Sequence, residues 1–145
     1  MLTGKKIVLG VSGGIAAYKM ANVASMLSKL HADIHVVMTE NATHFITPET
    51  FEVLTGNHCY TDTFDRCMEL HVPHIALGTQ ADAILIAPAS ADVVGKIANG
   101  IADDMLTTCV LPATCPVMLA PSMNVHMYEN PIVQDNMKKL VSYGY

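Results

Sequence analysis

The sequence predicts one α/β domain built on a doubly wound parallel sheet, and three observations support this fold class. Its 145 residues suit one domain with a sizeable core and are too few for two ordinary domains. Short continuous apolar runs, which are typical of strands buried on both faces, alternate with the patterns of amphipathic helices. The first strand, the first helix and the second strand fit within residues 7–38, as a right-handed βαβ unit requires.

The composition indicates a protein that associates with copies of itself. Hydrophobic residues make up 51% of the chain and charged residues 14%, and the mean hydropathy is +0.34. This is apolar for a monomer of this size, so part of the apolar surface is expected to form an oligomer interface. The net charge of −5 and the lack of a basic run argue against nucleic acid and anionic membranes as partners.

The sequence also indicates a cytoplasmic location. No apolar run approaches the roughly 18 residues that cross a bilayer, and the N-terminus lacks the features of a signal peptide. The four cysteines form no C-x-x-C pair and have no zinc-finger spacing, so reduced thiols are expected. His71 and His74 are three residues apart, but Pro73 separates them and no third ligand follows at ligand spacing. We therefore predict no metal site.

The turn after the first strand is the first candidate binding element. Residues 7–11 form the predicted strand, Ser12, Gly13 and Gly14 interrupt it, and an amphipathic helix follows. Without Cβ atoms the glycines allow a sharp turn and let an anion approach the amides that begin the helix. The turn matches neither the dinucleotide fingerprint nor the P-loop, so a tight turn that binds nothing is the alternative. The apolar positions of this helix recur at helical spacing and are Ile15, Ala16, Met20, Val23, Ala24, Leu27 and Leu30.

Two further strands carry polar residues at their carboxyl ends, where ligands bind in open α/β sheets. The second strand, residues 34–38, ends at Thr39. The third strand, residues 82–87, leads into Ser90 and a helix that begins near Asp92. Small residues at neighbouring strand ends leave room for a flat ligand. Ser90 offers its hydroxyl to such a ligand, or alternatively only caps the helix.

Between the second and third strands the pattern is less regular. We expect Asn41 to cap a short helix, a second helix to cover residues 51–56 and a loop to span residues 59–66. Residues 69–77 form a short helix or a turn. An isolated histidine such as His74 in this stretch is more often a hydrogen-bonded structural residue than a base.

The last part of the chain continues the alternation of helices and strands. One carboxylate of the Asp103-Asp104 pair is expected to cap the next helix rather than to act in acid and base chemistry. Residues 116–120 form a fourth strand, which leads to Asn124, whose amide suits recognition of a carboxylate. Asn130 precedes a proline and is expected to cap a last helix.

Four motifs, in this order, resemble the flavin-dependent cysteine decarboxylases, most of all the bacterial phosphopantothenoylcysteine decarboxylases of coenzyme A biosynthesis. They cover nearly the whole chain and are GVSGGIAAYK at 10–19, PHIALG at 73–78, PASADVVGKIANGIADD at 88–104 and PSMNVHMY at 121–128. One such motif is weak support, whereas four at matching spacings are strong. The resemblance implies a flavodoxin-like fold, assembly into trimers and FMN bound near a subunit interface.

The resemblance also implies roles for individual residues. His74 would be the active-site base, Asn124 would hold the substrate carboxylate and Met127 would lie beside it. The implied reaction is FMN-dependent decarboxylation of 4′-phosphopantothenoylcysteine, in which a hydride leaves the carbon that bears sulfur before CO₂ is lost. The residues that would contact FMN, the first four of them at its phosphate, are Ser12, Gly13, Gly14, Ile15, Thr39, Ser90, Ala91, Asp92 and Val93.

The sequence departs from the family pattern in ways that bear on function. Asp92 stands where the family often has Asn, which changes the charge near the flavin. The family carries a substrate-covering flap with a cysteine proton donor beyond the last helix, and Cys109 and Cys115 lie too early in the chain to replace it. Because the sequence ends at Tyr145, we expect a domain that lacks this flap and any ligase domain.

Three other functions stay open at the level of sequence. A peptidyl-cysteine decarboxylase of the same family would turn over a peptide that ends in cysteine. A non-catalytic flavin-binding regulatory subunit would bind FMN and a partner protein without releasing CO₂. A flavin prenyltransferase shares the architecture but does not need His74 and Asn124 together.

Overall fold

A parallel sheet organises the chain, as the sequence predicts. The computed structural model describes residues 1–65 and 73–145, and within them the sheet has four strands in the order β2-β1-β3-β4. All three strand pairs are parallel. This order places a topological switch point between β1 and β3, where ligands bind in open α/β sheets. The strands are β1 (Lys6–Val11), β2 (Asp33–Met38), β3 (Ala83–Ala89) and β4 (Val117–Pro121).

Helices connect the strands and cover both faces of the sheet. Two short 3₁₀ segments, Ile15–Lys19 and Asn41–His44, follow β1 and β2. The α-helices in the described ranges are α1 (Met20–Lys29), α2 (Pro48–Thr55), α3 (Pro73–Gln80), α4 (Ala91–Ala98), α5 (Met105–Val110), α6 (Val125–Glu129) and α7 (Pro131–Ser142).

The core lies on both faces of the sheet because successive strand side chains point to opposite sides. On one face Val8 packs in a cluster with Ile84 and Leu106. On the other face Leu9, the next residue of β1, packs in a cluster with Ile34 and Phe51. All six side chains are essentially inaccessible to solvent. This two-sided burial confirms the interpretation of the apolar runs as strands of a doubly wound sheet.

The predicted caps of two helices are confirmed. Asp104 accepts a hydrogen bond from the backbone N–H of Thr107 at 2.8 Å, and the Thr107 side chain completes a capping box before α5. Asn130 accepts from the N–H of Ile132 at 2.9 Å and caps α7, which begins with Pro131. Both caps follow from local sequence, which explains why they were predictable.

The helix predicted directly after Gly14 differs from the expectation. The chain first forms the 3₁₀ segment and becomes α-helical only at Met20. A 3₁₀ segment has about three residues per turn, so the apolar face predicted from the spacing of an α-helix does not hold at its first position. The Ile15 side chain is 76% exposed. The predicted apolar face is also wrong at Leu30, which lies after the end of α1 and is 45% exposed.

The predicted cap at Asn41 is wrong too. The 3₁₀ segment after β2 begins after Glu40 and has no side-chain cap at that position. Instead, the Thr39 hydroxyl accepts from the N–H of Ala42 at 3.2 Å. Thr39 thus stabilises the turn that leaves the carboxyl end of β2.

Large apolar side chains lie on the surface of several elements. Those at least 70% exposed include Ile15, Val53, Phe64, Ile132, Val141 and Tyr143. Exposed apolar surface of this kind favours association. None of the helices in the described ranges has the length and the apolar character needed to cross a bilayer.

Candidate active site

The loops after β1 and β3 meet through the side chain of Ser12. Its hydroxyl donates to the carbonyl oxygen of Pro88 at 2.5 Å and accepts from the N–H of Ser90 at 2.8 Å. Its own N–H also donates to the Pro88 carbonyl oxygen, at 3.3 Å. Ser12 is fully buried, and both of its donors are used inside the protein. It therefore joins two strand ends that are far apart in sequence.

A cleft of about 850 Å³ opens at the carboxyl ends of β1, β2 and β3. It includes Met127, which approaches from α6, and Thr39 from the end of β2. The residues of the predicted site that line it are Gly13, Thr39, Ser90, Ala91, Asp92, Val93 and Met127. Residues that the sequence did not assign to the site also line it: Glu40, Asn41, Thr43, Thr61, Asp62, Thr63, Phe64, Lys96, Asp103, Asp104 and Met105.

The other predicted site residues do not line this cleft. Ser12 is fully buried, and Gly14 and Ile15, which follow Gly13, are not among the lining residues. His74 lies on α3, and Asn124 lies at the start of α6. Within a single chain, the cleft therefore brings together most of the residues predicted to contact the cofactor. It does not include His74, the predicted base, or Asn124, the predicted ligand of the substrate carboxylate.

Close packing explains the glycine at position 13. A Cβ atom on Gly13 would lie 2.5 Å from the Cβ of Asn41 and 3.2 Å from its carbonyl carbon. At Gly14 the nearest atom to such a Cβ is Cγ of Pro88, at 3.9 Å. The backbone of Gly14 is extended, with φ −165°, which any residue adopts. Position 13 therefore requires glycine because of space, whereas position 14 tolerates a methyl group.

Ser90 combines the two roles that the sequence left as alternatives. Its hydroxyl accepts from the N–H of Val93 at 3.3 Å and so caps α4. Ser90 also lines the cleft together with Ala91 and Asp92. The first N–H groups of a helix lack partners within the helix and favour anions. The start of α4 therefore presents polar groups to any ligand in the cleft.

Lys96 lies between two carboxylates on the cleft wall. Its ammonium is 3.2 Å from Asp92 Oδ2, one turn earlier on α4, and 3.2 Å from Asp103 Oδ1. Burial acts to lower the pKa of Lys96, but the two hydrogen-bonded carboxylates outweigh it and the pKa is raised. Lys96 therefore stays charged, ties the loop after α4 to that helix and offsets the negative charge of Asp92.

A loop segment forms the outer wall of the cleft. Tyr60 extends the sheet beyond β2: its carbonyl oxygen accepts from the N–H of Met38 at 2.8 Å, and its N–H donates to the Val36 carbonyl oxygen at 2.9 Å. The chain then passes along the cleft over residues 61–64. There Phe64 presents an aromatic ring that is 85% exposed. The sequence predicted only a loop here, because no periodic pattern marks the segment.

His74 lies near the start of α3, and its Nδ1 atom is buried without a hydrogen-bond partner among the described residues. Among the described residues, no hydrogen bond therefore fixes the orientation of this ring nitrogen. Asn124 caps α6 through Oδ1, which accepts from the N–H of His126 at 2.9 Å. This cap uses the oxygen of the amide and not its Nδ2 donors. His71, the other histidine of the metal prediction, lies outside the described residues.

The buried thiols do not suit a catalytic role. Burial, with a smaller contribution from nearby carboxylates, raises the pKa of Cys59 to about 12 and the pKa of Cys109 to about 12. Both thiols are free and are protonated at neutral pH, so neither is a nucleophile. Within residues 1–65 and 73–145, no three His, Cys, Asp or Glu side chains are arranged to hold a metal ion.

Comparison with known proteins places the chain in a family. The sequence pattern of the family described as Flavoprotein matches residues 1–145. The chain is 49% identical to the coenzyme A biosynthesis bifunctional protein CoaBC of Bacillus subtilis (strain 168), over all of this chain and 36% of that protein. It is 45% identical to the probable phosphopantothenoylcysteine decarboxylase of Streptococcus mutans, over 97% of this chain and 80% of that protein. The chain thus spans about a third of the length of the bifunctional relatives.

Solved structures share the fold. The FMN-dependent cysteine decarboxylase SpaF is 37% identical with a TM-score of 0.93, over 100% of this chain and 83% of that one. A PPC decarboxylase mutant complexed with pantothenoylaminoethenethiol is 31% identical with a TM-score of 0.83, over 97% of this chain and 79% of that one. The flavodoxin-like fold is therefore confirmed. Because sequence and fold agree over essentially its whole length, the chain belongs to the flavoprotein family and, within it, to the flavin-dependent cysteine decarboxylases.

Proposed function

We propose that the chain catalyses the FMN-dependent decarboxylation of 4′-phosphopantothenoylcysteine to 4′-phosphopantetheine in coenzyme A biosynthesis. The observation that carries this proposal is that the carboxyl ends of β1, β2 and β3 meet at one cleft. The Ser12–Ser90 hydrogen bond joins the ends of β1 and β3 there. The names of the relatives favour this substrate: CoaBC and the probable phosphopantothenoylcysteine decarboxylase.

The cleft fits FMN in size and chemistry. Its volume of about 850 Å³ lies in the usual range of small-molecule sites. Gly13 leaves no side chain between the cleft and the turn, and Thr39 and Ser90 supply hydroxyl groups beside the start of α4. FMN, when bound, would supply a hydride acceptor, so that the carbon bearing sulfur is oxidised before the carboxylate on the neighbouring carbon is lost.

Residues of this chain would hold the cofactor by their backbone and by short polar side chains. The turn of Gly13, Gly14 and Ile15 would hold the phosphate through its amides. Ser12 acts from beneath, because its hydrogen bond keeps the Ser90 amide at a fixed distance from this turn. Thr39 and the stretch from Ser90 through Ala91, Asp92 and Val93 would line the remainder.

The reacting groups of the substrate would meet His74 and Asn124, which do not line the cleft, and Met127, which does. His74 would take up the thiol proton, since the buried Nδ1 is not engaged by another described residue. Asn124 would hold the substrate carboxylate with its Nδ2 donors. Met127 would form the apolar wall beside the carboxylate, because it already lines the cleft.

Assembly into a trimer would complete the site. His74 and Asn124 do not line the cleft of their own chain, and large apolar side chains are exposed around the molecule. If a neighbouring subunit supplies one of them, a mixture of His74→Asn and Asn124→Asp subunits will regain up to about a quarter of the activity by random pairing. If the mixture is no more active than either variant alone, both residues belong to the same subunit.

As part of the same proposal the trimer works in the cytoplasm, where the free thiols stay reduced.

The contrast between the two glycines provides a test of the phosphate turn. Gly13→Ala is expected to weaken FMN binding by at least about tenfold, because the new methyl group displaces Asn41 and the cleft wall. Gly14→Ala, the matched control, is expected to bind FMN within about threefold of wild type and to melt at the same temperature. Flavin fluorescence quenching measures both affinities. Equal losses in both variants would contradict the role of close packing at position 13.

The substrate assignment is tested by direct comparison. Purified chain with FMN is supplied either with 4′-phosphopantothenoylcysteine or with a peptide that ends in cysteine, and CO₂ release is measured. We expect the pantothenoyl substrate to be turned over faster. Faster turnover of the peptide would make the chain a peptidyl-cysteine decarboxylase, and bound FMN without CO₂ from either compound would favour a regulatory subunit.

A further inference from the structure

Acidic side chains predominate on the walls of the cleft. Of the lining residues that the structure describes, five carry a carboxylate and one, Lys96, carries an ammonium. The five acidic residues are Glu40, Asp62, Asp92, Asp103 and Asp104. The phosphate of FMN itself holds about 1.5 to 2 negative charges at pH 7, and like charges in a partly enclosed cleft repel each other more strongly than in bulk water. Binding of a phosphorylated ligand is therefore opposed by these walls unless a cation offsets their charge.

Lys96 is placed to offset this charge at two points. Its ammonium is 3.2 Å from a carboxylate oxygen of Asp92 and 3.2 Å from one of Asp103. The Lys96 side chain is 23% exposed, whereas those of Asp92 and Asp103 are 65% and 55% exposed. Since the pKa of Lys96 is raised, its charge is present at neutral pH. Loss of this charge would leave two carboxylates on one wall without their cation.

The backbone beside the two ion pairs is also held by other bonds. The N–H of Ile101 donates to the carbonyl oxygen of Lys96 at 2.9 Å, where the chain leaves α4. Farther along, the capping box of Asp104 and Thr107 fixes the start of α5. Neither contact uses the side chain at position 96. A change of the Lys96 side chain is therefore expected to alter the charge of the cleft more than the path of this loop.

We propose that Lys96 is a specificity-determining residue: by pairing with Asp92 and Asp103 it lowers the negative potential of the cleft and lets it take the phosphorylated flavin, FMN, in preference to riboflavin. This rests on the proposed function, because the phosphate of FMN is the charge that the cleft has to accept. Lys96 acts through the charge of the wall and needs no direct contact with the flavin.

The test measures the dissociation constants of FMN and of riboflavin, which has the same ring system without the phosphate. Lys96→Met removes the ammonium and keeps an apolar stem. We expect its dissociation constant for FMN to rise about fivefold, equivalent to about 1 kcal/mol, which is the scale of a partly exposed ion pair. Its riboflavin affinity is expected to change by less than about twofold. Lys96→Arg keeps the charge and is expected to bind FMN as wild type does.

Asp103→Asn changes the charge of the cleft in the opposite direction. It removes one carboxylate and leaves the pair of Lys96 with Asp92, so FMN is expected to bind about threefold more tightly while riboflavin binds as in wild type. A role confined to holding the loop predicts the contrary result, which is weaker binding of both flavins. Because this variant keeps the ammonium, it also decides between the two roles if Lys96→Met folds poorly.

Lys139→Met is the matched control for loss of a positive charge. Lys139 lies on α7, and its ammonium is 3.3 Å from Oδ1 of Asn99, the residue after α4, but it does not line the cleft. Both flavin affinities are expected to stay at the wild-type values. In Lys96→Met the loss of FMN affinity is expected to shrink as salt rises from about 0.01 M to about 1 M, because the screening length falls from about 30 Å to about 3 Å.

The outcomes separate this inference from the proposed function. Equal losses of FMN and riboflavin affinity in Lys96→Met, an unchanged FMN affinity in that variant, or weaker FMN binding by Asp103→Asn would overturn the role of Lys96 alone, provided that wild type binds FMN. A wild-type chain that binds neither flavin would refute the proposed function and this inference together.

Discussion

Replacing His74 by asparagine is expected to lower the rate of CO₂ release by at least about a hundredfold, the usual scale of a general acid or base. Asparagine has nearly the size of histidine but takes up no proton at neutral pH. FMN affinity is expected to stay within about threefold of wild type, because His74 does not line the cleft. Single-turnover CO₂ release and flavin titration measure the two quantities separately.

The matched control for His74→Asn is Thr79→Ala, on the same helix. The Thr79 hydroxyl donates to the carbonyl oxygen of Ile75 at 2.8 Å, and the side chain is exposed. Its loss perturbs α3 slightly without touching a titratable group, so full activity is expected. Normal CO₂ release by His74→Asn would rule out the base, and a similar loss in both variants would assign the effect to the helix.

Gly78→Ala is expected to destabilise the fold by about 3 kcal/mol. A Cβ atom at Gly78 would press on the backbone carbonyl oxygen of Cys109 and lie 3.2 Å from Cγ of Pro112. Backbone atoms of α5 cannot move aside as a flexible side chain does, so α3 has to shift. For a chain of this length the melting temperature should fall by about 10 °C, measured at fixed protein concentration because association adds stability.

Gly95→Ala provides the matched control on another helix. Its Cβ would meet only Asn136 Nδ2, at 3.6 Å, which is ordinary contact. Alanine is favoured over glycine in a helix interior by about 0.5–1 kcal/mol, so this variant should melt at the wild-type temperature or slightly above. Because His74 lies one turn before Gly78, activity should also fall in Gly78→Ala. Equal melting temperatures of Gly78→Ala and wild type would contradict the close approach of α3 to α5.

Features set by neighbours along the chain were predictable from sequence. The caps at Asp104 and Asn130 use residues two or three positions away. The strand ends at Ser12, Thr39 and Ser90 meet because parallel strands with helical crossovers end at the same edge of the sheet. The arrangement of the candidate cofactor contacts was therefore predictable in outline once the alternation of strands and helices was recognised.

Features set by contacts distant in sequence were not predictable. The Ser12 hydroxyl is used by Pro88 and Ser90, residues that differ from it by 76 and 78 positions. The wall of residues 61–64 is placed by bonds from Tyr60 to β2, and no apolar period marks it. Lys96 is adjacent to Asp92 on one helix face, but its contact with Asp103 depends on the path of a loop.

The visible absorption spectrum of the purified chain, before and after incubation with FMN and removal of unbound flavin, tests the central claim most directly. The claim is that the carboxyl ends of β1, β2 and β3 form one flavin site. We predict a yellow protein with one FMN per chain, and loss of the colour in Gly13→Ala but not in Gly14→Ala. A colourless chain that retains no added FMN, or equal flavin retention in both glycine variants, would contradict the account.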